Sequence, residues 1–247
     1  MMLSIDGSAG VSGDRLLAAL VDAGWPVSRL RRVLARLPVP PSVVRLHRRR
    51  EGTAIELRWP RRDQRPPRPA HEILQALRRC AVPATLRRRA VAVLTRLIQA
   101  EAAVHRCLPG RVLLYQLSEP DTLADLVGFS AGLAFFRIRW VVASPLLVGA
   151  RHRDHDGRWR SVPGPAVRRL TTGWPVWWSR QAVEYTTPTG AAIVTALARP
   201  AASGAASRVL ARGPYRRSVP RRVLAVGRGM PWPPRAGLGP VTLTVLQ

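Results

Sequence analysis

Carboxylates, hydroxyls and glycines crowd into one short stretch near the start of the chain, Asp6-Gly7-Ser8-Ala9-Gly10-Val11-Ser12-Gly13-Asp14. Glycines at 7, 10 and 13 let the backbone turn tightly and approach another group closely, directly before a helix whose first amides could receive an anion. The spacing is that of neither a dinucleotide-binding turn nor a P-loop. Two readings stand. In one, the glycines admit a ligand whose anionic group the first amides of the helix receive. In the other, the stretch is a strand-to-helix turn in which Ser12 caps the helix and Asp14 offsets its dipole.

Further groups of the same chemistry lie far along the chain. Asp121 and Asp125, four residues apart, open an apolar helical run and so share a helix face. Ser144 follows Val142-Ala143, and Thr187-Pro188-Thr189-Gly190 sits at a helix start, where proline is pre-organised for the first turn. Turns at element ends are where α/β folds place ligands, so the 6–14 loop, Asp121, Ser144 and the Thr187–Gly190 turn are expected to converge on one cleft. With 14 acidic residues against 40 basic ones, the placed acids have a task. They either pair with buried arginines or form a shared carboxylate-lined site.

Metal ligation has weaker signals. His152-x-x-His155, with Asp154 and Asp156, offers two imidazoles and a carboxylate if the loop turns back on itself, but the spacing matches no established metal motif and equally suits a solvated loop. His105 closes a helix, where it is a ligand or a dipole partner. Trp174, Trp177 and Trp178 form a cluster able to stack on a nucleobase, or to pack in a core. No Gly-x-Ser-x-Gly nucleophile frame occurs.

The elements that must position these groups follow from periodicity and punctuation. A helix runs from Ser12 to Gly24, and a second, Arg-rich one from Ser28 to Leu37, ended by Pro38. Segments 43–47 and 53–59 alternate at period two around Glu51-Gly52 and read as a hairpin. Residues 60–69, rich in proline and arginine, read as a linker between an N-terminal lobe (1–59) and a main α/β region (70–247). Helices are predicted at 70–80, 84–106, 121–136 and 187–197, and strands at 138–143, 221–226 and 241–246. The fold class is mixed α/β.

A chain of 247 residues with 47% hydrophobic content closes a real core. Its longest uncharged apolar run, residues 126–136, falls short of the roughly 18 residues of a membrane span. No membrane association is expected, no secretory signal opens the chain, and Cys80 and Cys107 form no disulfide framework. A cytoplasmic location fits. The net charge of +26 attracts polyanions. Every basic residue other than histidine is arginine, however, and lysine and asparagine are absent. GC-rich coding produces that pattern. Selection for phosphate contacts would keep some lysine. Nucleic-acid binding is expected to be weak and nonspecific.

The motifs together resemble the LarC family. Asp6-x-x-x-Gly10-x-Ser12-Gly13-Asp14 before Leu-Leu-Ala-Ala-Leu resembles the family's opening. Residues 100–105 resemble its helix ending in Glu and His, residues 121–128 its Asp-rich helix start, Val142–Leu146 with Gly149 its strand and turn, Gly164-Pro165-Ala166 a Pro-Ala element, and residues 184–192 its Thr-Pro-Thr-Gly-Ala signature. The matches are colinear over most of residues 6–195.

The resemblance implies an enzyme of nickel-pincer cofactor biosynthesis, a nickel chelatase of the lyase class. Such an enzyme places nickel between two thiocarboxylate sulfurs and the ring carbon of a pyridinium mononucleotide, in a CTP-dependent reaction. It implies catalytic roles for Asp6, Ser12, Asp14, Asp121 and Asp125, substrate or cofactor binding by Gly10, Gly13, Ser144, Thr187, Thr189 and Gly190, and nickel contacts by His105, His152 and His155. Two departures stand out. Where the family has His-x-His-Glu, this chain reads Leu113-Leu114-Tyr115-Gln116. The family's C-terminal nucleotide-binding domain has no counterpart, which implies a separate protein supplying it. The alternative function is that of a non-enzymatic basic protein holding nucleic acid or an acidic partner on its arginine surface.

Overall fold

The computed structural model describes residues 1–39, 43–59, 68–113, 119–150, 152–153, 159–160, 162–201, 223–230 and 240–246. In chain order the elements are β1 (Met2–Asp6), α1 (Gly13–Asp22), α2 (Val27–Leu34), β2 (Val43–Arg49), β3 (Gly52–Arg58), α3 (Ala70–Arg79), α4 (Ala84–His105), α5 (Glu119–Phe135), β4 (Trp140–Ala143), β5 (Leu146–Val148), β6 (His152–Arg153), β7 (Trp159–Arg160), α6 (Pro165–Leu170), β8 (Val176–Trp178), α7 (Pro188–Leu197), β9 (Arg199–Pro200), β10 (Val223–Met230) and β11 (Val241–Leu246). The class is mixed α/β.

Seven strands form the main sheet in the order β2-β3-β10-β11-β1-β4-β9. β1 lies inside the sheet, antiparallel to β11 and parallel to β4. Residues 1–59 thus contribute three strands to the same sheet that takes β4, β9, β10 and β11 from the rest of the chain. Alternation places Leu3 and Ile5 of β1 with Val241, Leu243 and Val245 of β11 in the main core, while Met2, Val142 and Leu246 form a small separate cluster.

Helix α1 is buried on almost every side, with Leu16, Leu17 and Leu20 at 0% exposure. It lies between the sheet and α5, touching β3, β10 and β11 on one side and α5 on the other. Each leucine buried this way stabilises the fold by about 1.5–3 kcal/mol. Gly24 ends the helix turn at φ +107°, a conformation that favours glycine.

Several boundaries differ from the sequence reading. α2 stops at Leu34, and its last predicted residues, through Leu37, form hydrogen-bonded turns instead. β4 begins at Trp140 because Arg137, at φ 52°, first breaks the chain direction after α5. Trp177 and Trp178 lie in β8, paired with β5, and are exposed at 40% and 63%. Their indoles therefore fill no core. Residues 60–67 of the expected linker, together with Asp154, His155 and Asp156, lie outside the described residues.

Candidate functional site

β1 and β4 run side by side in the same direction, so their C-terminal ends, Asp6 and Ala143, finish at the same edge. Ligand sites of α/β sheets lie outside such strand ends. The two following loops are tied together there. The Gly7 amide donates to Ser144 Oγ at 2.8 Å, and that hydroxyl donates to the Pro145 carbonyl at 3.0 Å. The Gly7 carbonyl accepts from Leu147 N at 3.0 Å and from Gly10 N at 2.9 Å. Asp6 Oδ1 accepts from the Ser8 amide at 2.9 Å, which fixes the turn.

The segment before α7 closes on the same loop. Val11 N donates to Thr186 Oγ1 at 3.3 Å, Thr186 Oγ1 donates to the Leu147 carbonyl at 2.7 Å, and Thr187 N donates to the Val11 carbonyl at 2.9 Å. Thr187 caps α7, accepting from Gly190 N at 3.2 Å. Glycine is required at two contacts. A Cβ on Gly190 would lie 2.2 Å from the Val11 carbonyl oxygen, and one on Gly10, which sits at φ +77°, would lie 2.1 Å from that of Tyr185.

Arg15 stitches these segments from below. It is 1% exposed, and its guanidinium donates to the Ala9 carbonyl at 2.9 Å and the Tyr185 carbonyl at 3.3 Å. Burial lowers its pKa to about 10, against the opposing pull of Asp14. It therefore stays charged at neutral pH.

Asp121, Asp125, Gly128 and Gly132 recur at spacings of four, three and four, which places them on one face of α5. That face meets α1. A Cβ on Gly128 would lie 2.8 Å from Leu17, one on Gly132 2.4 Å from Leu20, and one on Gly13 only 2.0 Å from Asp125 Oδ2. Residue numbers rise together along both helices, so α1 and α5 run parallel, with their N-terminal turns at one end. The two α5 glycines bring the helices close enough for Asp125 to lie over the first turn of α1.

Three carboxylates therefore face one another, and their surroundings differ. Asp14 is attracted to the Arg15 guanidinium. Asp121 Oδ1 accepts from the Trp59 indole N–H at 2.6 Å. Asp125, 9% exposed, has no hydrogen-bond donor among the described residues. Burial first, then the charges of Asp14 and Asp121, push its pKa well above the usual carboxylate range. Ser12 stands at the N-cap position of α1 but does not cap it. Its hydroxyl donates instead to Asp14 Oδ1 at 2.5 Å. The expected serine cap is replaced by a contact that orients the acid.

The structure brings together Asp6, Gly10, Ser12, Gly13, Asp14, Asp121, Asp125, Ser144, Thr187, Thr189 and Gly190 through this chain of contacts. Arg15, Trp59, Tyr185 and Thr186 join them. The histidines are elsewhere: His105 ends α4, 59% exposed in its side chain and 3.6 Å from Glu101, His152 is described by its β6 backbone, and His155 lies outside the described residues. No group of three His, Cys, Asp or Glu able to hold a metal ion occurs among the described residues. Nor is any described helix long and apolar enough to cross a membrane.

The chain is a mixed α/β protein in which acids and hydroxyls gather near the C-terminal ends of the parallel strands β1 and β4. Residues 3–214 match the family model described as nickel insertion protein, and the chain belongs to that family. A protein of Geotalea daltonii is 36% identical over 200 residues, covering 79% of this chain and 51% of its own length; one of Pelobacter propionicus is 35% identical over 218 residues, covering 86% and 55%. Both are named, provisionally, as nickel insertion proteins. A Nocardioides protein, 34% identical over 200 residues and covering 78% and 50%, is named pyridinium-3,5-bisthiocarboxylic acid mononucleotide nickel insertion protein. The chain spans about half the length of these relatives. No solved structure matches it.

Proposed function

We propose that this chain is the substrate-holding half of a nickel insertion enzyme, acting on a pyridinium mononucleotide that carries thiocarboxylates at ring positions 3 and 5. The observation that carries the reading is the junction at the C-terminal ends of β1 and β4. There the 6–14 loop is tied to the loop after β4 and to the segment before α7 by hydrogen bonds spanning more than 130 residues of sequence, and Asp125 of α5 packs against Gly13. Nothing in the packing of the core requires three carboxylates at that end, and burying one without a partner costs stability. A ligand site accounts for it.

In this reading nickel and the nucleotide are substrates. Loop amides and the Thr187 turn hold the nucleotide, and the acids work on the ring. CTP is the further nucleotide of the proposed activity. The test is calorimetric titration of the chain with the pyridinium-3,5-bisthiocarboxylate mononucleotide, then nickel transfer assayed with CTP, with and without the C-terminal half of a longer relative. Saturable nucleotide binding, abolished by Gly190→Val, is the expected result. An absence of binding would sink the reading.

A further inference from the structure

Nickel held by sulfurs at ring positions 3 and 5 lies over the carbon between them, C4, and closing a metal–carbon bond there displaces the C4 hydrogen. We propose that Asp125 is the base that takes this proton, with Asp14 and Asp121 as positioning residues that set its proton affinity. The inference rests on the function proposed above. In the step, the C4–H bond breaks, its electron pair becomes the nickel–carbon bond, nickel stays divalent, and the proton passes to a carboxylate oxygen of Asp125.

Geometry singles out Asp125 from its neighbours. Asp14 has the attraction of Arg15 and the Ser12 hydroxyl, and Asp121 has the Trp59 indole. Both therefore have a donor or a cation beside them. Asp125 is nine-tenths buried between them with no donor among the described residues, and Gly13 leaves it room against α1. Burial first, then the neighbouring charges of Asp14 and Asp121, favour the protonated form of Asp125.

The other charges around Asp125 are engaged away from it. On α4, Arg89 donates to the Ile138 carbonyl, Arg96 to Thr195 and the Leu170 carbonyl, and Glu101 faces His105. On α2, Arg29 stacks over Phe135 and Arg31 donates to the Val44 carbonyl. The first turn of α7 presents Thr189 and Gly190, without charge. Arg15 spends two of its donors on carbonyls. A carboxyl whose proton affinity is raised is, once ionised, a stronger base than an exposed aspartate, and positioned general bases contribute about 100- to 10,000-fold to proton transfer.

The test follows the C4–H signal of the mononucleotide by proton NMR in D2O with the chain, the C-terminal half of a longer relative, Ni(II) and CTP, alongside calorimetric nucleotide binding. The expected result is chain-dependent loss of the signal, with a rate that rises with pH to a plateau and a midpoint above the ordinary aspartate value of about 3.9. Asp125→Asn should bind nucleotide within about threefold of the unmodified chain and lose the signal at least about 100-fold more slowly. Asp125→Glu should recover part of the rate. Asp121→Asn should move the midpoint to lower pH, because removing a neighbouring negative charge weakens Asp125's hold on its proton.

An Asp125→Asn variant that works at the full rate would overturn the inference, as would nucleotide binding with an untouched C4–H signal; in both cases the proposed function survives. If the variant does not fold, the pH profile of the unmodified chain decides, and a midpoint near the ordinary aspartate value counts against Asp125. A chain that binds no nucleotide removes the proposed function and this inference together.

Discussion

A methyl group on Gly13 would lie 2.0 Å from Asp125 Oδ2 and 2.3 Å from its Cγ, so the glycine in the first turn of α1 is the seat of the buried acid on α5. The relationship links two motifs more than a hundred residues apart. Gly13→Ala forces Asp125 or the helix to shift, and overpacking of this kind costs about 1–3 kcal/mol. The loss should appear as a lower midpoint in urea unfolding at unchanged slope. Unaltered stability would mean that the two helices are not in this contact.

Gly10→Ala should cost more than Gly13→Ala. Its Cβ would meet the backbone of Tyr185 at 2.1 Å, which cannot swing aside as a carboxylate can, and the residue sits at φ +77°. Left-handed backbone adds about 1–2 kcal/mol for a residue with a side chain. Gly24→Ala is the matched control, because Gly24 also has positive φ but no atom lies within 4 Å of its added Cβ. The measured difference between the two variants isolates the collision with the Tyr185 segment.

Asp125→Asn should stabilise the chain as pH rises. Burial and the charges of Asp14 and Asp121 raise the folded-state pKa of Asp125 above its unfolded value. Between those two values the folded chain binds more protons, so Asp125's contribution is full below the unfolded value of about 3.9 and is lost as pH rises through the folded one. Asparagine has no such loss. Thermal unfolding of both proteins from about pH 4 to pH 8 should show a gap that widens in favour of the variant. A gap constant with pH would place the proton elsewhere.

Most elements were legible because their signals are local. The apolar run 16–21, the proline at 188 and the glycine at 24 each fix a helix or its end through their own backbone chemistry. Much of the site was legible as a list of residue types, Asp6 through Gly190, yet how they touch was not. Ser12 looked like a cap, but its hydroxyl turns to Asp14, since in the fold that acid must be oriented toward Asp125. Arg15 was overlooked because nothing local marks two carbonyls, at 9 and 185, that fall within its reach. The role of Gly128 and Gly132 appears only once the fold brings the leucines of α1 into the space beside them. β8 was missed because a strand of three residues with exposed tryptophans leaves no period to read.

The arginine surface should bind nucleic acid only as a polyelectrolyte. Exposed arginines are spread over α2, β2, α3, α4 and α6. Binding to a short duplex, followed by fluorescence anisotropy, should be insensitive to sequence and fall steeply with salt, by about 1,000-fold or more between 50 and 200 mM if six or more phosphates are engaged. A sequence-selective complex that survives high salt would favour a nucleic-acid function over the one proposed here.

Nickel should bind the isolated chain weakly, and its tight binding should depend on the nucleotide. Divalent nickel has high affinity for imidazole nitrogen, yet the position where His-x-His-Glu was expected reads Leu113-Leu114-Tyr115-Gln116. Among the described residues no three His, Cys, Asp or Glu side chains converge on a metal site. His105 is largely exposed at a helix end with only Glu101 beside it. The metal is then best held by the two sulfurs of the substrate, with the Asp125 cluster acting on the ring rather than as a cage. Calorimetric titration with Ni(II) should give a dissociation constant weaker than about 1 μM, equivalent to less than about 8.2 kcal/mol of binding, and should tighten at least tenfold once the mononucleotide is present. Stoichiometric tight binding by the chain alone that vanishes in a His152→Ala/His155→Ala variant would instead place the nickel site on the histidine pair.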